Sequence, residues 1–261
     1  MAGCVYVQKS RDTIDLFYLK ADLSMDSFQH FCPEHIGMLI FITAAITAGL
    51  LIMRKLSEKK ASVAVIILSI AVLVGETVQD ILLIREGGNI IGFLPLHLCN
   101  LGIFVNQIAA FTRGKIQSFF AEVSLVLIMP GSVAALLFPD WTYRAFWSYL
   151  PLLCFFTHSL IVFLPLVFLI RGKVHVTFKH FWYSYIFLLT VVPPIYLFNI
   201  RTGQNYMFLS YPPANSPLKW LCEFTGEKYY LIGLLALITV ILIVEYAVHD
   251  GARMAERKFS R

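Results

Sequence analysis

Long polar stretches are what this 261-residue chain lacks. Only 14% of its residues are charged, against roughly 25% in an average soluble domain. No segment beyond the first 30 or so residues is polar enough to form a water-facing domain, so a soluble multidomain enzyme is excluded. Nucleotide chemistry finds no foothold, because no glycine-rich phosphate loop occurs and Gly87-Gly88 reads as a turn. There is no His-x-x-x-His pair and no nucleophile elbow. The five cysteines, Cys4, Cys32, Cys99, Cys154 and Cys222, match no zinc spacing. Neither a metal nor any other cofactor is therefore expected. The net charge of +5 comes without a basic patch interleaved with aromatics, so nucleic acid is not an expected partner. Repeats and low-complexity tracts are absent, and the polar, mixed-charge N-terminus does not read as a signal peptide.

What is present is apolar. The hydrophobic fraction is 58% and the mean hydropathy +0.73, which points to lipid as the solvent. Runs of about 20 apolar residues, each long enough to cross a bilayer, recur between short charged turns. The expected fold is all-α: a polytopic bundle of seven transmembrane helices. Residues 1–34 form a polar segment, with an amphipathic surface helix expected around Ile14–Leu23. The membrane domain spans 35–248, and 249–261 form a basic tail. The expected spans are 35–53, 61–84, 89–111, 116–138, 146–170, 181–200 and 229–248. Prolines 130, 151 and 165 are expected to kink helices. Trp141, Trp147, Trp182 and Trp220, near span ends, read as interfacial anchors.

Basic residues set the orientation. Thirteen of the 21 Lys and Arg lie at 54–60, 113–115 and 171–179 and in the C-terminal tail. Short loops rich in Lys and Arg stay in the cytoplasm. The C-terminus is then cytoplasmic and the N-terminus outside. Cys32 and Cys222 fall on the outer side, where a bridge between them is conceivable.

Ionisable side chains in hydrocarbon cost several kcal/mol unless paired or hydrated, so those within spans are informative. Glu76, Gln79 and Asp80 stand at i, i+3 and i+4, on one face of the second span. The third span carries His97, Cys99 and Asn100, and the fifth carries His158. His35 opens the first span on the outer side. Four helices thus aim polar groups at one cavity in the outer half of the bilayer. A thiolate is a good acyl acceptor if a nearby histidine takes its proton. Cys99 with His158 is the candidate pair, with His97 as an orienter. Bland alternatives exist for each: interfacial acids paired with Arg85, a packing histidine, a small buried cysteine.

Four segments carry a resemblance: Leu94-Pro-Leu-His-Leu-Cys-Asn100, Met129-Pro-Gly-Ser-Val-Ala-Ala-Leu-Leu-Phe-Pro-Asp140, Phe155-Phe-Thr-His-Ser-Leu-Ile-Val162, and Asn205-Tyr-Met-Phe-Leu209 with Pro213-Ala-Asn-Ser216. Together they resemble the YwaF family of bacterial integral membrane proteins over residues 31–248. A distant animal relative of that family, transmembrane protein 164, builds ether phospholipids by acyl transfer through a cysteine and a histidine. The resemblance implies a multi-pass protein of the bacterial plasma membrane, a phospholipid partner, and His158 as the family histidine. Aligning the third-span histidine with His97 puts Leu96 at the animal cysteine, with Cys99 three residues on. Asn205 joins the expected polar cavity through the loop motif. Three functions stay open: phospholipid acyltransferase, proton-coupled small-solute transporter, and non-catalytic membrane component. Oligomeric state is not legible.

Overall fold

The structure, a computed structural model, describes residues 27–213 and 216–259, with side chains of the last helix as far as Gly251. The surface helix expected at Ile14–Leu23, Ala214 and Asn215 of the loop motif, and the tail's basic side chains lie outside the described residues. All regular elements among the described residues are helical.

Helix α1 (Pro33–Lys55) starts on a proline, whose missing N–H costs nothing there. Glu34 in its first turn and Arg54 and Lys55 in its last suit the helix dipole. In α2 (Glu58–Arg85) the Ser57 side chain accepts from the Lys60 N–H at 3.5 Å. After α3 (Leu98–Phe111), α4 (Gly114–Leu137) runs through a π-helical turn at Ser124–Ile128. Helices α5 (Tyr149–Ile170) and α6 (Tyr183–Thr202) follow, then the short α7 (Pro217–Thr225) and α8 (Tyr230–Phe259). Pro165, Pro193 and Pro194 sit inside helices, whereas Pro151 falls in the first turn of α5 and Pro130 follows the π turn. Among the described residues six helices are long and apolar enough to cross a membrane. Their outward faces carry large side chains, such as Phe41 and Leu189, about 70% exposed, which lipid satisfies and water does not. The chain is a multi-pass membrane protein.

The third expected span needs correction. The sequence predicts a span over 89–111, but the α-helix covers only Leu98–Phe111, 14 residues. Ile90–Gly92 form one 3-10 turn, and 93–97 are irregular. Pro95 lacks an N–H and drives Leu94 out of the helical region. Hydropathy counts these residues as apolar and does not register the break.

Contacts tie alternate ends of the helices together. At one end Arg171 donates to the Met53 and Leu56 carbonyls and pairs with Glu58, which also holds Lys173 at 2.8 Å. Gln117 donates to the Ala109 carbonyl at 2.9 Å there. At the other end His30 reaches the Pro139 carbonyl at 2.8 Å, and Glu86 accepts from Arg144 and from the Tyr149 hydroxyl. The core between them is packed by Val72, Ile103, Ile128, Ile161, Leu164 and Leu242. Gly102 lets α3 meet the π turn: a Cβ there would lie 2.5 Å from Ile128 Cγ2.

Candidate functional site

Helix α2 lies against α3 and α5, and Gly75 permits the approach, since a Cβ would meet Thr157 Cγ2 at 3.3 Å. That turn of α2 presents Glu76, buried, with Gln79 and Asp80 half-buried beside it. Asn100 Nδ2 donates to Glu76 Oε1. Gln79 Oε1 accepts from the Cys154 thiol at 3.1 Å. Glu76 on α2 is therefore linked to α3, and Gln79 to α5.

His97 is the N-cap residue of α3 rather than a residue within it. Its ring packs between Tyr206 and Phe208, with centroids 5.1 and 5.0 Å away. The Met207 backbone N–H donates to His97 Nδ1 at 3.3 Å. Nδ1 is then an acceptor, so the ring proton sits on Nε2. His158 is fixed the opposite way. Its Nδ1 lies 2.8 Å from the Cys154 carbonyl, which can only accept, so Nδ1 holds the proton and Nε2 keeps a lone pair. Neither Nε2 has a partner among the described residues. One offers a donor and the other an acceptor.

The loop that fixes His97 is itself strained and braced. Met207 and Phe208 have φ of 58° and 52°, left-handed values that cost a non-glycine residue energy. Asn199 of α6 holds the turn with both ends of its amide, accepting from Tyr206 N at 3.0 Å and donating to Tyr206 O at 2.9 Å. The Tyr206 hydroxyl reaches back to the broken segment. It donates to Ile91 O at 2.6 Å and accepts from Leu94 N at 2.9 Å. Burial pushes this phenol up to about 12, with the nearby Asp80 carboxylate adding to the shift, so it stays neutral and keeps its donor. Backbone groups stranded by the break are thereby partnered.

The remaining expected residues divide. The Cys99 thiol faces the Ser132 hydroxyl, with its sulfur 4.0 Å from where a Gly131 Cβ would stand. Among the described residues it has no hydrogen bond to an imidazole. His35 is fully buried with both nitrogens used: Phe31 N donates to Nδ1 at 3.0 Å, and Nε2 donates to Leu136 O at 2.9 Å. Asn205 shapes its own loop, donating to Tyr211 O at 2.7 Å and accepting from Ser210 N at 3.0 Å. No disulfide joins Cys32 to Cys222. Trp141, expected at the interface, is 6% exposed and packs on His158, centroids 5.3 Å apart. Nearness to a span end gives depth, not direction, which is why its sequence position misled. Asn199, Tyr206, Ser132 and Trp141 are the residues that sequence reasoning missed. Tyr206 and Ser132 carried a signal, each as part of a motif quoted above.

A second buried polar group lies at the opposite end. Glu122 Oε2 is 2.8 Å from His180 Nδ1, and the Tyr246 hydroxyl is 3.0 Å from Glu122 Oε1. It straps α8 to α4. A cavity of about 30 Å³ at that end, lined by Glu58, Gln117 and Arg171, is distant from the histidines. No group of three or more His, Cys, Asp or Glu that could hold a metal occurs among the described residues.

Compared with known proteins, residues 30–246 match the TMEM164 family. No curated protein and no solved structure matches the chain.

Proposed function

The chain belongs to the TMEM164 family, and from that premise we propose that it is a membrane-embedded enzyme that moves acyl chains between phospholipids. The observations behind this reading are two imidazoles left with unused Nε2 positions, a lone pair on His158 and an N–H on His97, in the bundle that also carries the Cys99 thiol. His158 Nε2 takes the Cys99 proton, and the thiolate attacks the ester carbonyl of a donor phospholipid. The ester C–O bond breaks, a thioester forms, and His158 returns the proton to the departing lysophospholipid oxygen. An acceptor lysophospholipid hydroxyl then gives its proton to His158 and attacks the thioester. Thiolate leaves and is reprotonated by His158. His97 Nε2–H stabilises the carbonyl oxygen as charge builds on it. Glu76, Asp80 and Asn100 orient the acceptor. In the resting state the thiol faces Ser132, so acylation requires it to turn toward His158.

The test is transfer of labelled acyl chains in mixed phospholipid and lysophospholipid vesicles. His158→Ala should lower the rate about 10²–10⁴-fold, the usual contribution of a general base. Cys99→Ala should abolish it. Full activity in Cys99→Ala would discard the thioester and leave direct attack by the lipid hydroxyl, with His158 as base.

We also propose seven crossings, with the broken third one completed by 90–97, the N-terminus outside and the site in the outer half. The alternation of end contacts and the basic short loops support this. The four motifs support a YwaF-type member in a bacterial plasma membrane. A proton-coupled transporter is the second reading. A helix broken beside two acids and two histidines is how transporters build sites within the bilayer. Solute-dependent proton uptake into proteoliposomes, lost in Asp80→Asn, would favour it over the enzyme.

A further inference from the structure

The chain between α6 and α8 contains one feature that the site does not use. Helix α7 is nine residues long, far too short to cross a membrane, and its sides differ. Leu218 and Leu221 turn inward and join Ile195, Tyr206 and Leu234 in a cluster that also holds Leu94 and Leu96 of the broken segment. Trp220 and Phe224, one turn apart, face outward, 69% and 89% exposed. Aromatic rings this exposed are unusual in water and common at membrane interfaces.

Its depth follows from α8. Leu221 and Thr225 rest on Gly233, where a Cβ would lie 2.7 Å from Thr225 Cγ2. Gly233 belongs to the first turn of α8, so α7 lies alongside that turn and not above it. At the same level α8 exposes Ile232 and Leu235. The aromatic ridge therefore continues a face that already meets lipid. Charge is balanced: Lys219 and Lys228 face solvent beside Glu223 and Glu227. Nothing there selects an anionic surface.

We infer that α7 is an in-plane interfacial helix whose Trp220–Phe224 ridge binds the zwitterionic phospholipid surface of one leaflet, while its other side packs on the same Ile195, Tyr206 and Leu234 cluster as Leu94 and Leu96. The leaflet that meets α7 is then the one bordering His97. The inference rests on the membrane reading and needs no acyl transfer, so it can stand where the enzyme assay fails.

The test is tryptophan fluorescence of protein reconstituted in phosphatidylcholine vesicles, with and without phosphatidylglycerol. Subtracting the Trp220→Phe spectrum from that of the unaltered chain isolates Trp220. The difference spectrum should be blue-shifted and lose about half its intensity to lipid brominated near the top of the acyl chain, equally in both vesicle types. Phe224→Trp adds a tryptophan on the same ridge and should report the same depth if Trp220→Phe misfolds. Quenching by aqueous iodide without quenching by brominated lipid overturns the inference. Quenching that appears only with phosphatidylglycerol overturns its zwitterionic part.

Discussion

Asn199 supplies what a neighbouring backbone would, one donor and one acceptor to Tyr206. Asn199→Ala leaves both groups buried and unpaired, at a cost of about 1–3 kcal/mol. The variant should melt lower in detergent, and diethylpyrocarbonate should modify His97 faster because Met207 no longer fixes its ring. Unchanged His97 reactivity would show that the turn holds without Asn199. Tyr206 adds a pH dependence. Its folded pKa is about 12 against an ordinary 10.0. The bonds of its neutral hydroxyl thus contribute fully below pH 10 and are lost as pH rises through 12. Thermal melts from pH 9 to 12 should show this alkaline loss in the unaltered chain and a smaller one in Tyr206→Phe.

The third element is where helix physics and membrane physics conflict. A broken backbone at membrane depth survives only if its polar groups are satisfied by protein or face a water-filled cavity. Here Tyr206 supplies the bonds to Ile91 and Leu94. Tyr206→Phe should therefore speed amide exchange across 91–97 about tenfold, the equivalent of 1.4 kcal/mol, with α1 and α5 unaffected. Uniform acceleration along the chain would indicate global loosening instead. Crowding at the π turn gives a companion prediction. Gly102→Ala pushes a methyl to 2.5 Å from Ile128 Cγ2, and overpacking of this kind costs about 1–3 kcal/mol. Its melting temperature should fall while His97 reactivity stays the same.

At the scale of the molecule, straps at opposite ends hold the bundle: Arg171 with Glu58 at one, Glu86 with Arg144 at the other. If the short basic loops are cytoplasmic, single cysteines at Lys59 and Glu227 will label from opposite faces of intact cells. Labelling from the same face would remove one crossing and turn the cluster toward the cytoplasm. Both side chains are exposed, so the substitutions disturb little packing.

Hydropathy alone determined that the chain is a membrane protein and located five of its long helices, and the start of the last, to within a few residues, because the free energy of placing a run in lipid is a sum over that run. The cost of ionisable groups in hydrocarbon made Glu76, Asp80, His97 and His158 worth singling out. The break at 93–97, the buried orientation of Trp141 and the satisfied state of His35 needed the tertiary structure. So did the choice of donor and acceptor on the two histidines. Met207, which sets the His97 tautomer, lies 110 residues away in sequence. Leu136, whose carbonyl accepts from His35 Nε2, lies 101 away. A local window sums burial and does not see such partners. Which nitrogen of an imidazole is free depends on a single hydrogen bond, and only the packing of distant helices brings that bond into place.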